Sequence, residues 1–420
     1  MKRSKRSRSV RRRNRRARRR TQAPRRIRSS LGALTSSALA LPGLAGNAVA
    51  DSPAERIRID YGFSFYAEDD LDDSKLAAGD KGRYEIEMHQ LHIESPLTER
   101  IDVGVDLVYE TMSGATPWYV VPDADGDPIQ VMTGATVEDT RTDALVTTSY
   151  FFGNGTAQLG GGVSVENDYL AFNGSLGGEL HFNEKNTTLS ARAGLSIDQI
   201  EPTDSDLYPE RPDKEDKQSY SISTGIAQVL GEGSLVQSNV SFKHSRGFLS
   251  DPYKRVLVAG APVADSRPDQ RNQFAWLTQL RHHFAPIDGT LHADYRLYAD
   301  DWEVISHTFE LAWYQTLWER LRLIPSARYY SQSSAKFYAP FFVLPTGGEH
   351  SSDYRLSPYG ALALRFRAEV PLTLWNVDLL ASAGYERYMS SGDFALGDVS
   401  VENPGLVSFN LLSVGLSTRF

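Results

Sequence analysis

The 420-residue chain has no cysteine, which excludes disulfides, thiolate catalysis and Cys-ligated metals and suits an oxidising compartment whose fold needs no covalent staple. It has no nucleophile elbow, no phosphate-binding loop and no His-Glu-x-x-His, so no catalytic motif supports an enzyme. After residue 50, no apolar stripe of helical period reaches a useful length. No linker, composition break or internal repeat divides that region, so one continuous architecture is expected. Acids are missing altogether from the first fifty residues.

That last absence marks a leader. Residues 1–30 carry sixteen Lys and Arg, Leu31 to Leu44 form an apolar core too short to cross a bilayer, and Ala48-Val49-Ala50 is a small-residue cleavage site before Asp51. The pattern predicts a signal peptide over 1–50 with a basic n-region, cleaved after Ala50, and a mature protein over 51–420. A nucleic-acid-binding arm would need neither the apolar run nor the Ala-x-Ala site. Without the leader, 29 of the 45 basic residues remain against all 53 acidic ones, a net charge near −24. That balance argues against nucleic acid as a partner.

What the mature part has is period-two alternation from end to end. Ile101, Val103, Val105, Leu107 and Tyr109 alternate with Asp102, Gly104, Asp106, Val108 and Glu110. Residues 169–182 and 188–198 repeat the pattern. Sixteen candidate strands follow, at 56–67, 84–94, 101–112, 140–152, 156–166, 169–182, 187–198, 218–230, 235–245, 271–284, 290–299, 304–317, 320–331, 354–367, 373–388 and 406–420. Links between them alternate in length. Ser95 to Arg100, Gly153-Asn154-Gly155, Asn183 to Asn186, Gly231 to Ser234, Ala285 to Gly289 and Trp318-Glu319 are tight, whereas most of the others are long. A soluble sandwich gives no such parity. The expectation is an all-β transmembrane antiparallel β-barrel of about sixteen strands (14–18), with short periplasmic turns and long extracellular loops.

Leu412, Val414, Leu416, Thr418 and Phe420 occupy every second position back from the C-terminus. This closing strand resembles the signal read by the barrel-assembly machinery, and it should pair with residues near Ile57 to Phe65, because an unpaired edge in hydrocarbon costs several kcal/mol per polar group. Phe151, Phe152, Phe182, Phe284, Trp313, Trp318, Trp375 and Tyr385 are candidates for interfacial girdles. Lipid and lipopolysaccharide are the expected surroundings.

Assigning inward faces places Glu85, Glu87, Asp102, Asp106, Glu110 and Asp143 on an early acidic lumen wall and Arg281, Arg296, Arg322, Arg328, Arg365 and Arg367 on a late basic one. Opposed walls would set up a transverse field across a water-filled lumen; the alternative is that these charges pair and plug it. Asp123, Asp125 and Asp127 resemble the start of a calcium loop, but no closing Glu follows and a hairpin turn is favoured. Acidic outer loops offer Ca2+ or another divalent cation a place; no resident cofactor is otherwise expected. The loop 113–139 is the most apolar long one and either folds inward or extends the wall. His283 and His292 share a predicted face around a tight turn, a weak metal candidate without a third ligand. His244 and Ser245, adjacent on one strand, point to opposite faces and cannot form a dyad.

The segment Gly247-Phe248-Leu249-Ser250-Asp251-Pro252-Tyr253-Lys254, taken with the leader, strand pattern and terminal Phe, resembles a domain-of-unknown-function family of proteobacterial outer-membrane β-barrels. The resemblance implies fold and a Gram-negative outer-membrane location, and brings no active site with it. The expected function is a porin-like channel or transporter for polar solutes. Its alternatives are a plugged structural or interaction barrel anchoring envelope partners, and an outer-membrane enzyme.

Overall fold

The computed structural model describes residues 57–133, 137–318 and 320–420. The expected leader with its cleavage after Ala50, and Glu319 of one expected tight link, lie outside the described residues. Sixteen antiparallel strands close into one barrel. They are β1 (Arg58–Glu68), β2 (Glu85–Thr98), β3 (Ile101–Gly114), β4 (Val137–Phe152), β5 (Gly155–Val165), β6 (Tyr169–Phe182), β7 (Thr187–Ile200) and β8 (Glu215–Gly231). The second half comprises β9 (Ser234–Gly247), β10 (Gln270–Phe284), β11 (Gly289–Asp300), β12 (Ile305–Leu317), β13 (Leu321–Gln332), β14 (Tyr359–Leu374), β15 (Val377–Ser391) and β16 (Phe409–Arg419). Strands about 4.8 Å apart and tilted about 40° make a cylinder roughly 30 Å across, the size class that leaves an aqueous lumen.

Closure follows the expected pairing. β1 lies against β16 from Arg58 opposite Arg419 to Glu68 opposite Phe409, and the Phe420 N–H donates to the Ile57 carbonyl at 2.9 Å. No strand edge is left in the wall, which is what hydrocarbon demands of a sheet. Among the described residues no helix is long and apolar enough to cross a membrane.

The pleat sorts residues by environment. On β7, Leu189, Leu195 and Ile197 point outward and are exposed, while Arg192, Ser196 and Asp198 point inward. Leu412, Val414, Leu416 and Phe420 are likewise outward and exposed on the last strand. Phe152, Phe182, Phe284, Trp318 and Trp375 sit at the ends of descending strands or in the turns beyond them, forming a ring at the periplasmic rim. Phe151, expected in such a girdle, is buried on the inner face instead, because it follows Tyr150 and precedes Phe152, which both face lipid.

Tight turns join the strands at the periplasmic end. Trp375 and Asn376 form one of them with φ of 49° and 62°, the paired positive values of a two-residue type I′ hairpin. The strand expected to end at residue 367 therefore continues through Pro371, which stands opposite Leu380, to Leu374. Its start also moves, since Tyr354–Leu356 is a 3-10 turn rather than strand.

At the other end the long links carry their own structure. Leu76–Ala78, Pro117–Pro122 and Pro128–Met132 form a three-stranded sheet, and Arg255–Val258 pairs with Ala261–Ala264. The dry cores lie here. Trp302, Val304, Ala335, Phe337 and Leu356 form one, and Leu71, Ala115 and Met132 another.

Candidate functional site: a hydrated lumen under a loop cap

The inner wall is built by register. On β10 to β15 most of the inward bases meet an acid on a neighbouring strand. Arg281 Nη2 donates to Asp294 at 3.0 Å, Arg328 Nε to Glu310 at 2.8 Å, and Arg365 Nε to Glu386 at 2.6 Å. Glu369 lies between Arg322 at 3.3 Å and Arg367 at 3.0 Å, and Arg271 Nε meets Asp300 at 2.9 Å. The expected basic wall is thus a ladder of ion pairs whose acids went unassigned, since period alone does not tell which acid faces which base. Arg296 also faces inward, opposite Leu277 and Thr308.

On the early wall Asp102, Asp106, Glu110 and Asp143 face inward. Arg141 stands among them, 3.5 Å from Glu110, 3.4 Å from Asp143 and 3.9 Å from Glu166, while His92 Nδ1 is 2.7 Å from Asp106. Glu85 and Glu87 do not belong to this wall. They point outward, opposite Ala67 and Phe65, because the inner positions of this stretch are taken by Ile86 and Met88, packed against Tyr66, Val108, Met112 and Leu411. Two opposed rows of uncompensated charge are therefore replaced by walls that each carry both signs.

Several inward side chains nevertheless remain wet. Arg322 is 52% exposed, Arg328 33% and Asp106 34%, although all three point away from lipid. Arg322 lies at the periplasmic rim, but Arg328 and Asp106 lie away from both strand ends, so the space between the walls is open to solvent there.

Loops from around the whole rim meet over the outer mouth. From the loop after β9, the buried Lys254 ammonium donates to the Pro117 carbonyl of the loop after β3 at 3.1 Å, and lies over the ring of Tyr354 from the loop after β13. Those loops leave the ring of strands at widely separated points, so contact between them requires a span across the opening. Burial pushes the Lys254 ammonium down in pKa, with Asp353 opposing. Asp353 is itself buried, yet Arg355, Lys254 and Arg267 hold its carboxyl well below the usual carboxylate range. Arg267 joins Asp265 at 2.7 Å to Asp353 at 2.8 Å, and Arg355 reaches Asp251 at 2.7 Å. Buried charges persist only when paired in this way.

The remaining loops lock to this centre. Ser266 and His350 exchange backbone hydrogen bonds at 3.0 and 2.8 Å, Asn403 Nδ2 donates to the Ser352 carbonyl at 3.0 Å, and Lys75 pairs with Glu402 at 2.8 Å. Tyr253 donates its hydroxyl to Asp168 in the short turn between β5 and β6. The apolar loop 113–139 therefore becomes part of a cap. The segment Gly247 to Lys254 supplies its centre, through Asp251, Tyr253 and Lys254.

Candidate ligand sites sort as follows. Asp139, Glu166 and Asp168 each offer a carboxylate oxygen within 4.8 Å of the others. Burial, then Asp139 and Asp168, push Glu166 up to about 8, so the group carries a proton at neutral pH. Asn167 Nδ2 donates to Asp139 at 2.6 Å. Asp123 accepts the backbone N–H groups of Asp125 and Asp127, each at 2.9 Å, the hydrogen bonding of a tight turn. His283 and His292 are not register partners. His283 stands opposite Thr290, and His292, opposite Arg281, packs its ring at a tilt against Tyr314, with centroids 4.2 Å apart. His244 faces outward to Asn272 at 2.9 Å, while Ser245 faces inward to Ser219 at 3.0 Å.

Fold and site together define a sixteen-stranded transmembrane β-barrel with a wet lumen and a capped outer mouth. The chain belongs to the family described as Protein of unknown function (DUF3570), whose model matches residues 31–400. No curated protein matches the sequence. Similar solved structures include a bacterial polysaccharide outer membrane secretin, at 12% identity and a TM-score of 0.46, over 87% of this chain and 98% of that one. OpdK from Pseudomonas aeruginosa, solved with vanillate, shares 10% identity at a TM-score of 0.39, over 87% and 98%. A BenF-like porin from Pseudomonas fluorescens Pf-5 shares 10% at 0.42, over 88% and 100%. These likenesses assign no solute or partner to the present chain.

Proposed function

We propose that the protein is an outer-membrane channel of a Gram-negative bacterium that passes small polar solutes. The leader exports it, the terminal Phe420 strand addresses it to the barrel-assembly machinery, and its aromatic ring seats it among lipid and lipopolysaccharide. The carrying observation is the exposure of inward side chains away from both rims, Arg328 at 33% and Asp106 at 34%, which a barrel plugged by its own residues would keep dry. The cap limits what enters, because loops from distant parts of the rim touch above the lumen. Paired acids and bases along the walls give passing solutes hydrogen-bonding partners without strongly favouring either sign. Swelling of liposomes in neutral sugars of increasing size tests this. Vesicles holding folded, heat-modifiable protein should swell with the smallest sugars and progressively less with larger ones. Swelling no faster than in protein-free vesicles would refute the channel reading.

A further inference from the structure

We propose that the lumen contains a binding site for a small solute bearing one oxyanion group, centred on Lys243. The proposal rests on the channel reading and adds to it a solute class. A cavity of about 270 Å3 opens on the inner face of β6 to β9, lined by Asn173, Ser175, Ser196, Ser219, Ser221 and Lys243. That volume is just below the roughly 300 Å3 at which pockets for drug-sized ligands begin, so it suits a small solute.

Charge sets the sign of the ligand. Lys243 is the one charged residue lining the cavity, and among the described residues it forms no ion pair. Its cationic neighbours are already neutralised. Lys217 is held by Asp198 at 2.7 Å and Arg271 by Asp300 at 2.9 Å, so neither is free to compete for an incoming anion; Asp198 acts on Lys243 only at longer range, being engaged by Lys217, Tyr169 and Ser196. Register places Lys243 opposite Ser221 on one side and Gln273 on the other, both uncharged. The cavity thus holds one net positive charge among hydroxyl and amide groups. An ammonium with three donors and no acceptor, ringed by hydroxyls, matches an oxyanion carried on a hydroxylated or short polar body. A cation gains nothing there.

Binding also explains the chemistry of the lining. Arg192, another inward cation on this wall, is held by an amide, donating to Gln158 Oε1 at 2.8 Å. Lys217 keeps its carboxylate partner, whereas Arg192 has a neutral one that an anion can displace, unlike the ladder on β10 to β15.

Calorimetric titration of the full-length barrel in detergent tests the site, with sodium gluconate, inorganic phosphate and neutral sorbitol as probes. Saturable binding of gluconate or phosphate, and none of sorbitol, is expected; the two anions separate a carboxylate preference from a phosphate one. Lys243→Gln should weaken that binding at least about tenfold and Lys243→Arg should retain it, while Arg322→Gln at the periplasmic end of β13 leaves it unchanged. Acetylation of Lys243 by an amine-reactive reagent, read by mass spectrometry on the unmodified sequence, should be slowed by the bound anion and needs no variant. Absence of saturable anion binding, equal affinity in folded Lys243→Gln, or acetylation indifferent to the anion would each overturn the site. Binding that depends on Lys243 in a protein whose liposomes do not swell would uphold the site and remove the channel.

Discussion

Replacing Asp353 by Asn tests whether the cap is a unit held by charge. The carboxylate accepts from Arg267 Nη2 at 2.8 Å, from Arg355 Nε at 2.6 Å and from the Arg355 backbone N–H at 3.1 Å, and it is 2% exposed. Asparagine keeps the shape and removes the charge. Arg267, Arg355 and Lys254 then share Asp251 and Asp265 alone, and one buried cation loses its counterion. Breaking a buried pair from one side costs about 3–5 kcal/mol. At about 1.4 kcal/mol per tenfold, the population of opened cap rises by roughly two to four orders of magnitude. The barrel wall should not follow, because its hydrogen bonds are strand ladders that do not involve this cluster. Hydrogen exchange by mass spectrometry separates the two. Amides of residues 248–269 and 333–358, including those that join Ser266 to His350, should lose protection while β6 to β8 keep theirs. Solute flux through liposomes should rise in parallel. Unchanged protection in both loops would refute the account of the cap.

Other consequences follow from the same structure. Glu166 has a folded pKa raised to about 8 against an unfolded value near 4.3, so the stability it lends is full below about 4.3 and is lost as pH rises through about 8. Denaturant midpoints should fall over that window in the natural protein and fall less in Glu166→Gln; parallel curves would count against a protonated Glu166. Leu176, outward and 62% exposed on β6, should lose about 2–4 kcal/mol of membrane stability on change to Arg, whereas Ser175→Arg, one residue away and inward, should insert almost normally. Similar insertion of the two would invert the assigned faces. Ser64→Cys with Ser413→Cys should cross-link on oxidation of the folded protein, since these residues oppose each other across the closure, and Phe65→Cys with Ser413→Cys should not.

The wall was legible because alternation is local. A strand such as β6, read at 169–182, needs only its own residues to declare itself. Faces failed where the environment inverted. At the outer end of β2 the inside is dry, closed over by the cap, and the outside is at the level of hydrated head groups, so Ile86 and Met88 turn inward and Glu85 and Glu87 outward. Partners failed for a different reason. That Arg328 meets Glu310 depends on the register of two strands, which periodicity does not encode. The turn at Trp375 and Asn376 escaped because only Asn carries a left-handed preference, and the tryptophan beside it masks the signal. Contacts of the cap were least legible. Tyr253 and Asp168 are 85 residues apart, and nothing near either one announces the other.

The central claim, a water-filled path under a loop cap, is tested most directly by single-channel recording of the purified, heat-modifiable protein in planar lipid bilayers. Discrete current steps of uniform size are predicted, becoming larger or more frequently open in Asp353→Asn. Folded protein that inserts but produces no steps, in either form, would contradict it.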